Sequence, residues 1–404
     1  MMRYINALLA AVGLSSGFTA RQAITTSSQR EVEDNADRQQ YEARIDAIVK
    51  GLVVRSKIRG DNTLDILMLS GGGQHGAYGI GFLRGWQSRA DMAVMPSFDL
   101  VTGISTGGLQ APFALLGTAA ALDQASALYR GATTDFAPTF DWLFWLRRTG
   151  GLVKTSRYRQ MIEREMDACM AAQLQASFSE GKQLVIGTTD FDVGIGRLWD
   201  IGHELKAEHG PDRVQKILLA TTAIPGIFPP LMIDGHVHAD GGIISNVLGV
   251  LDFEGYRKLG VRLAASGLTE RTTVRIWVIV NMWTYPKPIS INPSSRRAML
   301  RRSNLLMFWN HQLQYLAGLN DLICAVNAEV PALRLEMRYT AIPSELASAP
   351  GAAALFNEEW MTRIEKFGFE RARGKNPWDV TTTPHARPLP ILTPDEKAAF
   401  TEGK

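Results

Sequence analysis

The chain has 404 residues, 46% of them hydrophobic, and a formal net charge of +3. That length suits two or three domains or one enlarged α/β domain, and the apolar fraction excludes a wholly disordered chain. Lys plus Arg (43) against Asp plus Glu (40) gives no general field for nucleic acid, and two cysteines cannot build a zinc ribbon or a disulfide scaffold.

Residues 1–23 read as a secretory signal peptide. Met1-Met2-Arg3 is basic, residues 4–14 are mostly apolar, and Ser15, Ser16 and Gly17 are small. Phe18 makes a poor cleavage site, and no cysteine follows for lipid attachment. Export is the expectation: periplasmic, membrane-associated or secreted, and otherwise cytoplasmic. No apolar run reaches the ~18 residues of a spanning helix. Residues 24–60 read as a polar spacer with a helix about 41–54, where Ile45, Ile48 and Leu52 share a face. Cys169 and Cys324 are expected as free, buried thiols.

Strands then alternate with helices. Residues 64–70 and 98–102 are short apolar runs ending at glycines, each followed by a helical pattern, at 76–89 and 107–116. Residues 184–189 and 196–201 form a hairpin, and 212–222 a helix. Asp234-Gly235 turns a second hairpin between 232–233 and 237–238. Residues 272–280 are the strongest late strand, and 294–325 and 356–371 are helical. The pattern predicts an α/β fold with a mainly parallel sheet in three layers. The expected divisions are an α/β domain over 61–290, a helical part over 291–373 that completes or covers it, and a loose tail over 374–404.

Three motifs carry chemistry. Ser70-Gly71-Gly72-Gly73-Gln74-His75-Gly76 lies between a strand and a helix, where glycine amides can approach an anion. It lacks the Gly-Lys-Ser/Thr of a phosphate loop, and a lone GxGxxG is weak evidence for a dinucleotide. A transition-state oxyanion needs only two aimed N–H donors. Gly103-Ile104-Ser105-Thr106-Gly107 joins a strand to a helix, the context of a nucleophile elbow. Ala239-Asp240-Gly241-Gly242 puts an acid at a strand end. The histidines after Ser105 (His203, His209, His236, His238, His311 and His385) stand in no catalytic-loop context. His236 and His238 share one strand face, and no metal is assigned to them.

Together the three motifs resemble the patatin-like phospholipase family. The resemblance is close from residue 64 to 246 and looser to 280 and beyond. Residues 187–194 (GTTDFDVG) and 220–230 (ATTAIPGIFPP) are also similar to family segments. His75 stands where the family usually has Arg or Lys, Thr221 or Thr222 where it has Ser, and Val247-Leu248 where a proline is often found. The resemblance implies a patatin-like hydrolase fold over 61–290 and a Ser–Asp dyad without histidine. Ser105 would be the nucleophile and Asp240 the proton acceptor. Gly71, Gly72 and Gly73 would form the oxyanion hole, with Gly76, Gly103, Gly107, Gly241 and Gly242 flanking the motifs. It implies an acyl-enzyme route on phospholipid or lysophospholipid at a membrane or micelle surface, with no metal, cofactor or nucleic acid. A non-catalytic lipid- or nucleotide-binding module on the same fold is the alternative.

Two further stretches bear on substrate. The aromatic run 140–146 with Arg147 and Arg148 reads equally as a lid, or acyl-pocket wall, and as core. Arg296, Arg297, Arg301 and Arg302 open the long helix that carries Leu305, Leu306, Phe308 and Trp309. An interfacial helix fits this pattern, and a buried helix with a basic first turn is the favoured expectation.

Overall fold

In a computed structural model the protein is described over residues 27–91, 93–131, 139–140, 150–267, 270–283 and 289–379. The expected signal peptide, most of the aromatic run 140–146 with its two arginines, and the tail from 380 lie outside these residues.

Helix α1 (Ser27–Arg59) precedes β1 (Thr63–Leu69), α2 (Gly76–Gln87), β2 (Leu100–Ile104), α3 (Thr106–Leu116) and α4 (Ala119–Gly131). A small ladder of β3 (Thr139–Phe140) and β4 (Val153–Lys154) leads to α5 (Ser156–Glu165) and α6 (Ala168–Ser179). Then come β5 (Gln183–Asp190), β6 (Ile195–Asp200), α7 (Ile201–Glu204), α8 (Gly210–Thr221), β7 (Leu231–Ile233) and β8 (His236–Asp240). The chain continues through α9 (Phe253–Ala265), β9 (Thr272–Trp283), α10 (Arg296–Glu329), β10 (Leu333–Ile342) and α11 (Glu358–Arg373).

Eight strands form one sheet in the order β10-β9-β1-β2-β5-β8-β7, with β6 also on β5. From β10 to β5 every pairing is parallel, and β6, β8 and β7 are antiparallel. This is the mainly parallel three-layer α/β/α arrangement. Both faces are covered, so the central parallel strands β1, β2 and β5 are almost continuously buried. In β1, Leu67 and Leu69 enter the core under α2, α3, α8 and α11, while Leu64, Ile66 and Met68 enter the core under α1, α9 and the second half of α10.

The register of β5 decides where the site forms. β6 occupies one edge of β5 from Val185 to Asp190. The other edge is shared end to end. β2 runs parallel along it until Ile104 lies opposite Gly187. β8 runs antiparallel along it until Asp240 lies opposite the next residue, Thr188. Two strands thus advance on each other along one edge, and the residues at their tips must meet.

Several expectations are corrected. The stretch expected as a spacer is a long packed helix: Ile45, Ile48, Val49 and Leu52 are in the core. Near its end Arg55 and Arg59 reach the buried Asp99 at 2.8 Å each, and Arg59 also reaches buried Asp65. Cys169 and Cys324 are exposed rather than buried, because both fall on the solvent side of helices. The tail expected from 374 stays packed as far as Asp379, since the Trp378 ring sits 4.9 Å from those of Phe82 and Trp86. The first turns of α10, expected as buried, are exposed from Met299 to Met307 at every large apolar side chain. α4, α5, α6, α9 and β10 had no counterpart among the predicted elements.

Asp99→Ala leaves Arg55, which is 5% exposed, with only long contacts to Glu180. Breaking a buried pair in this way costs ~3 kcal/mol or more. The loss is expected as a fall in the urea midpoint at unchanged slope.

Candidate active site

Ser105 sits between β2 and α3 with φ 52° and ψ −124°, a strained conformation for a side-chain-bearing residue. The flanking glycines permit it. A Cβ on Gly103 would lie 2.5 Å from the Gly107 carbonyl oxygen, and one on Gly107 would lie 2.3 Å from that of Leu69. The Ser105 Oγ donates to Asp240 Oδ2 at 2.7 Å, and the Gly242 amide donates to Asp240 Oδ1 at 2.8 Å. Among the described residues no histidine hydrogen-bonds to either side chain. Burial raises the Asp240 pKa from 3.8 to about 6, and the Gly242 and Ser105 hydrogen bonds only partly oppose it.

The end of α8 and the residues just after it hold the backbone of both residues in place. The Ser105 amide donates to Thr221 Oγ1 at 2.9 Å, and that hydroxyl donates to the Gly187 carbonyl at 2.6 Å. Two residues on, the Ala223 carbonyl accepts from the Asp240 amide at 3.0 Å. Thr221 is therefore the threonine that bonds the elbow, whereas Thr222 accepts from the Tyr158 hydroxyl and lines the pocket beside Ser105. This role was not evident in the sequence, where the two threonines are equivalent.

The glycine loop follows β1. Gly71 abuts Ser105: an added Cβ would lie 3.1 Å from that of Ser105. Its amide already donates to the Asn246 carbonyl, so Gly71 contributes shape rather than a donor. Gly72 packs so closely on the end of β9 that a Cβ would lie 1.9 Å from the Asn281 carbonyl oxygen, and Gly73 has φ +57°. The Gly72 and Gly73 amides donate to no protein acceptor among the described residues. They are the two candidates for an oxyanion hole.

The loop is fastened by residues far along the chain. Gln74 Nε2 donates to the carbonyls of Gly351 and Ala354, and Gln74 Oε1 accepts from the Asn357 amide. His75 Nδ1 accepts from the Trp360 indole at 2.9 Å, and burial lowers the His75 pKa to about 4. His75 is therefore neutral at pH 7 and brings no charge to the loop. No local sequence signal links Gln74 or His75 to Gly351–Trp360, more than 270 residues away.

An apolar pocket opens at Ser105. Leu109, Phe113, Met161, Ile162, Leu218 and Phe228 line it, together with Gly73 and Gln74 of the glycine loop. Apart from Ser105 and the loop, most of its wall is hydrocarbon.

Residues 67–248 match the family model of the patatin-like phospholipases. The chain carries a patatin-like phospholipase domain. A curated relative, the cGAMP-activated phospholipase of Pseudomonas aeruginosa (strain BWHPSA011 / Pa011), is 25% identical over 200 residues, or 46% of this chain. The chain spans 55% of the length of that relative. Among solved structures, VipD from Legionella pneumophila is similar over 76% of this chain and 66% of its own, with 12% identity and a TM-score of 0.35. All three motifs lie within the patatin-like segment, and the Gly351–Trp360 residues that fasten Gln74 and His75 lie outside it.

Asp190, Asp192 and His236 also cluster, with ligand atoms within 4.8 Å. Asp190 is already bound by Arg197 and His236 and by the Asp192 and Val193 amides. A cation there would have to displace the guanidinium, so the group serves as an ion-pair lock beside β8. His238, on the same strand face as His236, is buried against Trp199 and bonds Thr188 Oγ1.

Thr221→Val removes the hydroxyl at nearly constant volume and leaves a buried amide and a buried carbonyl unpaired. A loss of about 2 kcal/mol is expected in chemical denaturation, against less than half of that for Thr221→Ser, which keeps the bridge. Asp240→Asn is expected to behave oppositely. The folded pKa of Asp240 lies above its unfolded value, so the native state binds the extra proton between about pH 4 and 6 and loses that advantage as pH rises through this window. The amide that replaces the carboxyl stays neutral throughout. The variant should be more stable than the wild type at pH 8, by up to about 3 kcal/mol in chemical denaturation, and the difference should vanish only below the unfolded-state pKa of 3.8.

Proposed function

We propose that this protein is a serine lipid acyl hydrolase that cleaves ester bonds of phospholipids or lysophospholipids. The observation that carries the reading is the Ser105–Asp240 hydrogen bond, with Ser105 in the wall of an apolar pocket. The patatin-like match and the name of the curated relative support the same class.

In the proposed reaction the acyl chain lies in the pocket and its ester carbonyl stands over Ser105. The Ser105 oxygen attacks that carbon while Asp240 takes the hydroxyl proton. The Gly72 and Gly73 amides donate to the tetrahedral oxyanion. As the intermediate collapses, the C–O bond to the leaving group breaks and protonated Asp240 returns the proton to the departing alcohol. Water then attacks the acyl-serine with Asp240 again as base, releasing the fatty acid and restoring Ser105. A carboxylate with pKa about 6 is a better base than an ordinary one and is still ionised at neutral pH.

Residues 1–23 direct export in this reading, so the enzyme would meet lipid outside the cytoplasm. N-terminal sequencing of the protein recovered from its source checks that part.

A fluorophosphonate probe is expected to label the wild type and not Ser105→Ala. Mass spectrometry of a phospholipid mixture should show free fatty acid from the wild type alone. Asp240→Asn should lose at least about a hundredfold in kcat, as for removal of a catalytic base. The wild-type kcat/KM on a soluble ester should rise with pH through an apparent pKa near 6, because Asp240 must be ionised to accept the proton. A wild type that neither labels nor releases fatty acid would leave the binding-module alternative standing.

A further inference from the structure

α10 is anchored beside the site and then leaves the body of the protein. Asn246 connects the two. Its carbonyl accepts from the Gly71 amide, and its side-chain nitrogen donates to Gln312 Oε1 on α10 at 2.8 Å. Gln312 and Trp309 are both buried. The helix begins 16 residues before Gln312, so at 1.5 Å per residue its start lies about 24 Å further along the axis. Ser295 caps that start by accepting from the Ala298 amide, which makes it a formed helix end.

This projecting part has an unusual surface. Met299, Leu300, Leu306 and Met307 are 50%, 54%, 41% and 59% exposed. Their spacing of i, i+1, i+7 and i+8 puts them on one stripe. Arg297 and Arg301, at i, i+4, lie further round the helix towards the face opposite the stripe, and Arg296 stands at the tip. No Asp or Glu occurs in the sequence between Glu270 and Asp321. An apolar stripe with guanidinium groups further round the helix matches a bilayer interface, where hydrocarbon enters the acyl boundary and the cations remain among the headgroups. A purely apolar partner would leave Arg297 and Arg301 unanswered, and a polyanion would leave the stripe uncovered.

We propose that the first three turns of α10, residues 296–307, are the element by which this protein docks on anionic lipid membranes, beside the oxyanion loop. The proposal rests on the lipid-hydrolase reading for its purpose, though docking itself is measured without turnover. The apolar side chains supply insertion and the arginines supply the preference for anionic headgroups. The helix end enters the interface while Gln312 and Asn246 hold the glycine loop at a fixed distance behind it.

The test is co-sedimentation of the full chain with phosphatidylcholine vesicles, with and without phosphatidylglycerol. The wild type is expected to bind the anionic vesicles, and added salt should weaken the binding. Leu300→Asp with Met307→Asp, and separately Arg297→Glu with Arg301→Glu, should each lower vesicle affinity by about tenfold or more. Hydrolysis of p-nitrophenyl butyrate should be unchanged in both, since none of the four side chains lines the pocket. Variants that sediment with anionic vesicles as the wild type does overturn the proposal. So do variants that convert a dimer to a monomer at unchanged vesicle affinity, because the stripe would then be a contact between copies. Vesicle binding that depends on these residues in a protein with no esterase activity would uphold the docking and overturn the hydrolase reading.

Discussion

One edge of β5 carries two strands that meet head-on, and the site depends on that meeting. A β-strand edge offers each hydrogen-bonding group once, so β8 can begin its pairing only where β2 stops. The change of partner falls between Gly187 and Thr188. The chain at both strand tips must turn away from the edge at that point, and both turns need glycine. Gly241 packs where a Cβ would lie 2.6 Å from the Gly187 carbonyl oxygen. Ser105 and Asp240 are 135 residues apart in sequence. They come together because neither strand has room to go further. The Thr221 hydroxyl sits over this junction and bonds both the elbow and β5.

A second constraint acts from the far side of the sheet order. The glycine loop is bounded by Asn281 at the end of β9, by Asn246 after β8, and by the Gly351–Trp360 stretch before and within α11. Ser70, just before the loop, accepts from the Asn281 amide through its Oγ and from the Asn281 side chain through its carbonyl. The site thus lies at the C-terminal ends of the parallel strands, where open α/β sheets place ligands. At the opposite ends, Arg55, Arg59 and Arg275 surround Asp65 and Asp99, and these ion pairs tie α1 to the sheet.

What could be read in the sequence was what is local. A buried strand ending in a glycine turn needs only its own residues to be recognised, so β1, β2, β8 and the three motifs were legible. So were both hairpins, whose turns lie between adjacent runs. β10 was not, because LRLEMRYTAI alternates charged and apolar residues and gives no continuous buried run. Its burial comes from pairing with β9 and from cover by α10. The cysteines and the start of α10 were misjudged for a related reason. Composition tells how apolar a helix is, but which face meets the body depends on neighbours distant in the chain. The resemblance gave Ser105 and Asp240 their roles as expectations. The 2.7 Å hydrogen bond between them is independent of it.

The link between His75 and Trp360 also has a temporal side. A chain is synthesised from its N-terminus, and all three motifs have left the ribosome once Gly242 is outside. The indole that holds His75 and the carbonyls that hold Gln74 are made much later, near the end of the described residues. Until then the glycine loop lacks two of its walls, and the apolar pocket lacks the side contributed by Phe356 and Met361. A nascent chain therefore carries the whole set of motifs without the finished site. Maturation of the loop is tied to completion of the fold.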